Sequence, residues 1–249
     1  MLTSTISSYQ FLQQESWTKP AYPIKLKDSV VHVWRFSLEQ PNRRVYGFVQ
    51  FLSDEERAQA ANLYRIRDRK RFIIGRGILR TILASYMNTE PSRLQFHHNP
   101  YGKPFLSRDC SCEDPVQFNL THSQGLALCA VSNRCLGIDM EHVNPILGID
   151  AATNTLFPKP EAETIAKLPK NKRTEAFYDA WTREEAYLKA SGDGLCGPHN
   201  KTESGPTGLC REEIDGSSYS IISMKPASNY IATLVVEGHN FSLNYFHFD

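Results

Sequence analysis

Gly137-Ile138-Asp139-Met140-Glu141 stands near the middle of the chain and decides how the rest is read. Leu136 to Met140 reads as a short strand that ends at two acids. Asp139 and Glu141 are two positions apart, so on a strand both side chains leave the same face. Downstream, Trp181-Thr182-Arg183-Glu184-Glu185-Ala186-Tyr187-Leu188-Lys189 reads as helix, with Glu185 and Lys189 four apart on one face. Upstream, Phe118-Asn119-Leu120-Thr121-His122-Ser123 adds a histidine. Three carboxylates, one histidine and one lysine can converge around a divalent metal and a phosphate ester. Such a set suits phosphoryl-type transfer, where catalysis is mostly positioning and charge neutralisation.

Each piece also has an ordinary reading. Two acids on one strand face are usually solvated surface. Trp181, Tyr187 and Leu188 suit a core, with the helix charges facing water. A lone histidine before Ser123-Gln124-Gly125 is more often a turn or capping residue than a ligand. The combination changes the weighting. A hard cation such as Mg²⁺ takes oxygen ligands, a few carboxylates plus substrate phosphate and water. Asp139, Glu141 and Glu185 can supply them.

Outward from this segment the elements repeat in kind. Val30 to Phe36 is a strand, and Ser53 with Glu56 three residues on makes a capping box that starts a helix. Helical pattern continues, with a break, to about Met87, its stripe supplied by Ile73, Ile74, Ile78, Leu79, Ile82 and Leu83. Asn99 to Pro104 is a turn. Strands follow at Phe118 to Leu120, Leu126 to Val131 and Leu136 to Met140. Residues 144–160 read as a loop with a short helix, 161–167 and 173–191 as helices, the second capped by Gly192. Residues 192–217 read as a mobile loop, and Tyr219 to Met224, Tyr230 to Val236 and Phe241 to Phe248 as strands. The order strand, helices, strands occurs twice. The fold class is therefore α+β, in two similar halves spanning residues 1–135 and 136–249. The duplication rests on element order, since no residue-level repeat joins the halves.

Composition narrows the classes. With 249 residues and 41% hydrophobic content the chain can bury a real core. Its 28 basic and 27 acidic residues leave a formal charge of +1, which gives no argument for a nucleic-acid partner. The basic stretch from Arg57 to Arg80 reads mostly as a solvated helix face, with one or two side chains reaching a polyanionic ligand. Met1 to Gln14 has no signal-peptide pattern, and no run of apolar residues is long enough to span a membrane. Of six cysteines, Cys110 and Cys112 form C-x-C rather than C-x-x-C, and Cys129 reads as core. Reduced thiols and a cytoplasmic location are expected. P-loop, dinucleotide-binding and G-x-S-x-G motifs are absent, and His97-His98 lacks zinc-site spacing.

The three segments closely resemble those of the 4′-phosphopantetheinyl transferases of the surfactin-synthetase type. There, F-N-[IL]-[ST]-H-S, G-[IV]-D-[IVM]-E and W-[ST]-x-K-E-[AS]-x-x-K occur in this order. Tyr101-Gly102-Lys103-Pro104 matches the family's Y-G-K-P turn, and Arg71-Phe72-Ile73-Ile74-Gly75-Arg76 resembles its R-x-x-x-G helix. The resemblance covers roughly residues 50–195, and the general layout is similar to cyanobacterial members. It implies two pseudo-symmetric α+β halves with coenzyme A and Mg²⁺ in the cleft between them. It implies transfer of the phosphopantetheine arm of coenzyme A to a serine of an apo acyl or peptidyl carrier protein, releasing 3′,5′-ADP. Matched residue by residue, Asp139, Glu141 and Glu185 would ligate Mg²⁺, and Glu185 would also act as general base. Lys189 would contact the pyrophosphate and protonate the leaving phosphate. Thr121 and His122 would hold coenzyme A phosphates, with Asn119 in the same binding set and Arg71 at the 3′-phosphate. Tyr101, Gly102 and Lys103 would line the adenine side.

Two departures stand out. The family's lysine before the base is here Glu184, and Arg183 beside it is expected to take over the positive charge. Arg57 lies one position off the family's first-helix basic residue, and Gln59 replaces a second lysine. A monomeric enzyme is expected. A non-catalytic carrier-binding module and a metal-dependent phosphoesterase are the competing readings.

Overall fold

Alternation along two strands sets the layers. In β1 (Val30–Ser37), Trp34 and Phe36 enter one buried cluster while Val31 and Val33 enter another. In β5 (Leu126–Ser132), Cys129 and Val131 join the first cluster, and Leu128 and Ala130 the second. A period of two sends successive side chains to opposite faces, so this sheet is buried on both. The structure is a computed structural model describing residues 16–27, 29–106, 116–192, 211–214 and 217–249.

β5 pairs antiparallel with β1 and with β4 (Gln117–Ser123), while β10 (Ser242–Phe248) lies parallel to β1. The first sheet thus runs β10-β1-β5-β4. The second runs through β6 (Leu136–His142), β9 (Tyr230–Glu237), β8 (Ser217–Met224) and β7 (Arg211–Ile214). A small hairpin joins β2 (Phe96–His98) and β3 (Pro104–Leu106). The inner faces of the two sheets share one cluster, where Leu128 and Ala130 sit with Ile138, Met140 and Leu234. Helices cover the outer faces. α1 (Asn42–Val49), α2 (Asp54–Asn62) and α3 (Ile66–Met87) pack on the first sheet. α6 (Lys170–Ser191) packs on the second through Ala186, Leu188 and Ala190, with α4 (Ile149–Leu156) and α5 (Lys159–Ala166) beside it. The chain is α+β, in two sheet-and-helix halves.

The expected elements are present with adjusted ends. The Ser53–Glu56 capping box forms in both directions. The break falls at Leu63–Arg65, where Arg69 donates to the carbonyls of Ala61 and Leu63, 3.1 Å each, and so satisfies the end of α2. Gly192 caps α6 with φ +80°. Three features differ from expectation. α1 is a helix of only two turns, too short for its buried Val45 and Phe48 to show a period. The stretch 192–217, expected as loop, carries β7, whose partner β8 supplies the pairing that propensity does not. The final strand, β10, pairs with β1, so the first sheet draws a strand from residues 136–249.

Arg80 is no solvated residue. It is 2% exposed and donates to Glu56 and to the carbonyls of Pro91 and Leu94. Cys129 is buried as expected, and Cys135 is exposed and free. Cys110, Cys112, Cys196 and Cys210, the Met1–Gln14 segment and residues 193–210 lie outside the described residues. Among the described residues no helix is long and apolar enough to cross a membrane.

Candidate active site

The two sheets meet along β4 and β6, and side chains of β4 bridge the seam. Asn119, Thr121 and Ser123 alternate onto one face of β4. Asn119 Oδ1 accepts from the backbone N–H of Ile138 at 2.8 Å. Thr121 Oγ1 donates to Asp139 Oδ1 at 3.1 Å, and Ser123 Oγ donates to Glu141 Oε2 at 2.8 Å. Along β6, Leu136, Ile138 and Met140 point into the core between the sheets. Gly137, Asp139 and Glu141 therefore face the α6 side.

Gly137 lets the helix come close. A Cβ there would lie 2.1 Å from the Ala186 carbonyl oxygen and 2.4 Å from the Ala190 nitrogen. Only glycine permits this approach, which sets Glu185 and Lys189 beside Asp139. Lys189 Nζ donates to Asp139 Oδ1 at 2.5 Å. A cavity of about 350 Å³ is lined by Thr121, His122, Asp139, Glu141, Trp181, Glu185 and Lys189, with Leu120. It adjoins a larger cavity of about 690 Å³ at Leu120 and His122, between α3 and the first sheet. Arg71 and Arg76 line that second space along with Phe72, Asn119 and Ser123.

Burial holds the Glu185 carboxyl above the ordinary carboxylate range. Lys189 opposes the shift, and Asp139 and Glu141 add to it. Glu141 is likewise raised, first by burial and then by Asp139, against its bond from Ser123 and the Lys189 charge. His122 is lowered by partial burial and by the Lys189 and Arg71 cations. Asp139 is 4% exposed, and its Oδ2 is buried without a hydrogen-bond partner. Buried carboxylate oxygens are normally satisfied, so a bare one beside two further carboxylates fits a cation. Among the described residues no three acidic, histidine or cysteine side chains are drawn together closely enough to hold a metal ion as a group. Mg²⁺ does not need such a group, since it keeps waters and shares its ligands with substrate phosphate. The donor set of Asp139, Glu141 and Glu185, all oxygens, fits it.

Seven of the residues singled out in the sequence come together here: Asp139, Glu141, Glu185, Lys189, Thr121 and His122 around the small cavity, and Arg71 at the large one. Arg71 is ion-paired to Glu39 at 2.5 Å. Asn119 lines the large cavity while its Oδ1 ties the seam. Tyr101, Gly102 and Lys103 line neither cavity; only the next residue, Pro104, does. Lys103 Nζ donates to the carbonyls of Leu136 and Ala190, 3.0 and 3.3 Å, pinning β6 to the end of α6. Arg183 does not replace the missing charge. It is buried and bonded to Glu161 and Asp179, 2.6 and 3.2 Å. Glu184 is half-buried and lines neither cavity. Arg57 pairs with Asp54 on the surface. Sequence reasoning gave no role to Ser123 or Gly137. The alternation 119, 121, 123 was the signal for the first, and a glycine directly before the acids for the second.

Comparison with known proteins identifies the family. Residues 135–234 match the 4′-phosphopantetheinyl transferase superfamily, and residues 39–134 match a 4′-phosphopantetheinyl transferase N-terminal domain. The 4′-phosphopantetheinyl transferase HetI of Nostoc sp. is 35% identical over 94% of this chain and 99% of its own. A putative 4′-phosphopantetheinyl transferase of Synechocystis sp. is 33% identical over 68% of each. The 4′-phosphopantetheinyl transferase Sfp of Bacillus subtilis is 30% identical over 61% of this chain and 65% of its own. The cyanobacterial likeness read from the layout holds, and the match runs through both sheets and the seam between them: the chain belongs to the 4′-phosphopantetheinyl transferase family of enzymes.

Proposed function

We propose that this enzyme moves the 4′-phosphopantetheine arm of coenzyme A onto a serine of an apo acyl or peptidyl carrier protein. The serine oxygen bonds to the phosphorus that bears the pantetheine arm, and the pyrophosphate P–O bond breaks. The products are holo carrier protein and 3′,5′-ADP. The observation that carries this reading is Asp139. It is buried, held on one oxygen by Thr121 and Lys189, and bare on the other, beside Glu141 and Glu185.

Asp139, Glu141 and Glu185 would hold Mg²⁺, which when bound neutralises charge on the pyrophosphate. Glu185 takes the serine proton. Lys189 stands at the same cavity to meet charge on the leaving phosphate. Arg71 and His122 bind coenzyme A phosphates, with Asn119 beside them, while Thr121, whose one proton goes to Asp139, holds that carboxylate instead. We place Tyr101, Gly102 and Lys103 as support for the adenine end through the turn rather than as cavity walls. We further propose that a single chain suffices, working in the cytoplasm, with residues 1–135 and 136–249 as the two halves around the site except that β10 of the second stretch completes the first sheet.

The test is mass spectrometry of a purified apo carrier protein incubated with coenzyme A, Mg²⁺ and this enzyme. A mass gain of one phosphopantetheine supports the reading. An unmodified carrier with free phosphopantetheine released would instead indicate a phosphoesterase.

A further inference from the structure

We propose that Ser123 is a positioning residue that holds Glu141 in the geometry a metal requires, an inference that rests on the metal reading above. The hydrogen-bond pattern leaves the serine one choice. The backbone N–H of His142 donates to Ser123 Oγ at 3.1 Å. The hydroxyl has a single proton, and it goes to Glu141 Oε2 at 2.8 Å. One hydroxyl on β4 thus reads two successive residues of β6, the main chain of one and the side chain of the other.

Asp139 and Glu141 differ in how they are held. Asp139 is short and takes bonds from both Thr121 and Lys189. Glu141 has an extra methylene and is only half-buried. Among the described residues its side chain takes one hydrogen bond, the one from Ser123. Without that bond the glutamate is free to turn among rotamers. Ser123 belongs to a series with Asn119 and Thr121, alternate residues of β4 that each tie one position of β6. The seam therefore does more than join the sheets: its last rung orients a carboxylate. Groups that orient metal ligands typically carry tenfold to a hundredfold of metal affinity.

The experiment follows the melting temperature of the whole enzyme against Mg²⁺ at a fixed, saturating concentration of coenzyme A. The expected result is that Ser123→Ala moves the midpoint of the Mg²⁺ response at least about tenfold higher. Ser123→Thr, which keeps the hydroxyl, restores the parent midpoint. The Mg²⁺ midpoint for carrier modification moves by the same factor, with a smaller fall in kcat at saturating Mg²⁺. A Ser123 with only a structural role lowers the melting temperature equally at zero and saturating Mg²⁺ and leaves the midpoint in place; that result overturns the proposal. Ser123→Cys keeps the side-chain shape with a weak donor and gives the same direction, so it stands in if the alanine variant does not fold. A parent enzyme with no Mg²⁺ response would remove the metal reading itself, a failure distinct from an unmoved midpoint in a responsive parent.

Discussion

Gly137→Ala adds one methyl group where β6 meets α6. The new Cβ would stand 2.1 Å from Ala186 O, 2.4 Å from Ala190 N and 2.8 Å from Lys189 C. All three are main-chain atoms of a helix, so no side-chain rotation relieves the clash. Ordinary contact begins at 3.4 Å, and 3.4 minus 2.1 leaves about 1.3 Å for α6 to move, the contact gap alone setting the scale. Asp139 lies two residues along β6, and Glu185 and Lys189 ride on the displaced helix. The 2.5 Å Lys189–Asp139 bond then opens beyond hydrogen-bond reach, past about 3.5 Å. A misplacement near 1 Å costs on the order of a hundredfold in rate, or about 2.7 kcal/mol of transition-state stabilisation. Overpacking costs a further 1–3 kcal/mol of stability, roughly 3–10 °C in melting temperature for a chain of this size.

Rates of carrier modification by mass spectrometry and thermal melts read both effects. Gly47→Ala is the control, because nothing lies within 4 Å of its Cβ in α1. It should leave activity alone and raise stability by up to about 1 kcal/mol. If Gly137→Ala keeps kcat/KM within about threefold of the parent and melts at the same temperature, the close approach does not set the site. The reasoning from packing to catalysis would then fail.

Three further outcomes are expected. Asp139→Ala abolishes carrier modification while the melting temperature stays within a few degrees, since removing the unpartnered buried Oδ2 offsets the loss of the bonds from Thr121 and Lys189 to Oδ1; turnover near the parent's would remove Asp139 from the site. Glu184→Lys, which restores the residue usual at that position, leaves kcat/KM within about threefold because Glu184 lines neither cavity; a tenfold loss, about 1.4 kcal/mol, would show that Glu184 acts on substrate. His32, buried against Tyr86, has its pKa pushed down to about 4 by burial. The unfolded chain therefore binds the extra proton first, and stability falls as pH drops from about 6.5 toward 4. The contribution lost by pH 4.5 is roughly 2–3 kcal/mol. Urea unfolding of His32→Gln should show a loss between pH 7 and 4.5 smaller by that amount, and equal losses in variant and parent would refute it.

What could be read in the sequence was whatever depends on local periodicity. Asp139 and Glu141 do share a face, Glu185 and Lys189 do share another, and the Ser53 box does start its helix. Distances between faces were not legible, because they depend on partners far along the chain. Arg183 shows this well. Its position suggested a replacement cation at the site, yet the helix turns it toward Glu161, 22 residues earlier. Lys103 is similar: an exposed-looking turn lysine, its amine reaches the carbonyls of Leu136 and Ala190. Both cases are long side chains whose charge finds distant partners in tertiary structure; only Asp179, four residues before Arg183 on the same helix, is a partner that helical spacing gives. β10 makes the same point for the backbone, since alternation predicts a strand but not that it joins β1.

The seam explains why the short motifs are spaced as they are. β4 and β6 are the facing edges of two separate sheets, and unpaired strand edges must be satisfied or covered. Here alternate β4 side chains do part of that work, Asn119 by accepting from the Ile138 main chain. The remaining rungs use the same alternation to reach Asp139 and Glu141. A mutation at any rung should thus act on both fold and chemistry, but in changing proportion. Asn119, buried and bonded to main chain, weighs toward the fold. Ser123, half-buried and bonded to a carboxylate, weighs toward the chemistry. Asp139 lies between them and carries the cost: a buried oxygen left bare, worth on the order of 1–3 kcal/mol if nothing binds it. A chain selected for stability alone would place an apolar residue there, as it does at the flanking Ile138 and Met140. An acid stands between them instead, with Lys189 drawn in to meet it, which is what the proposed metal-binding role of Asp139 calls for.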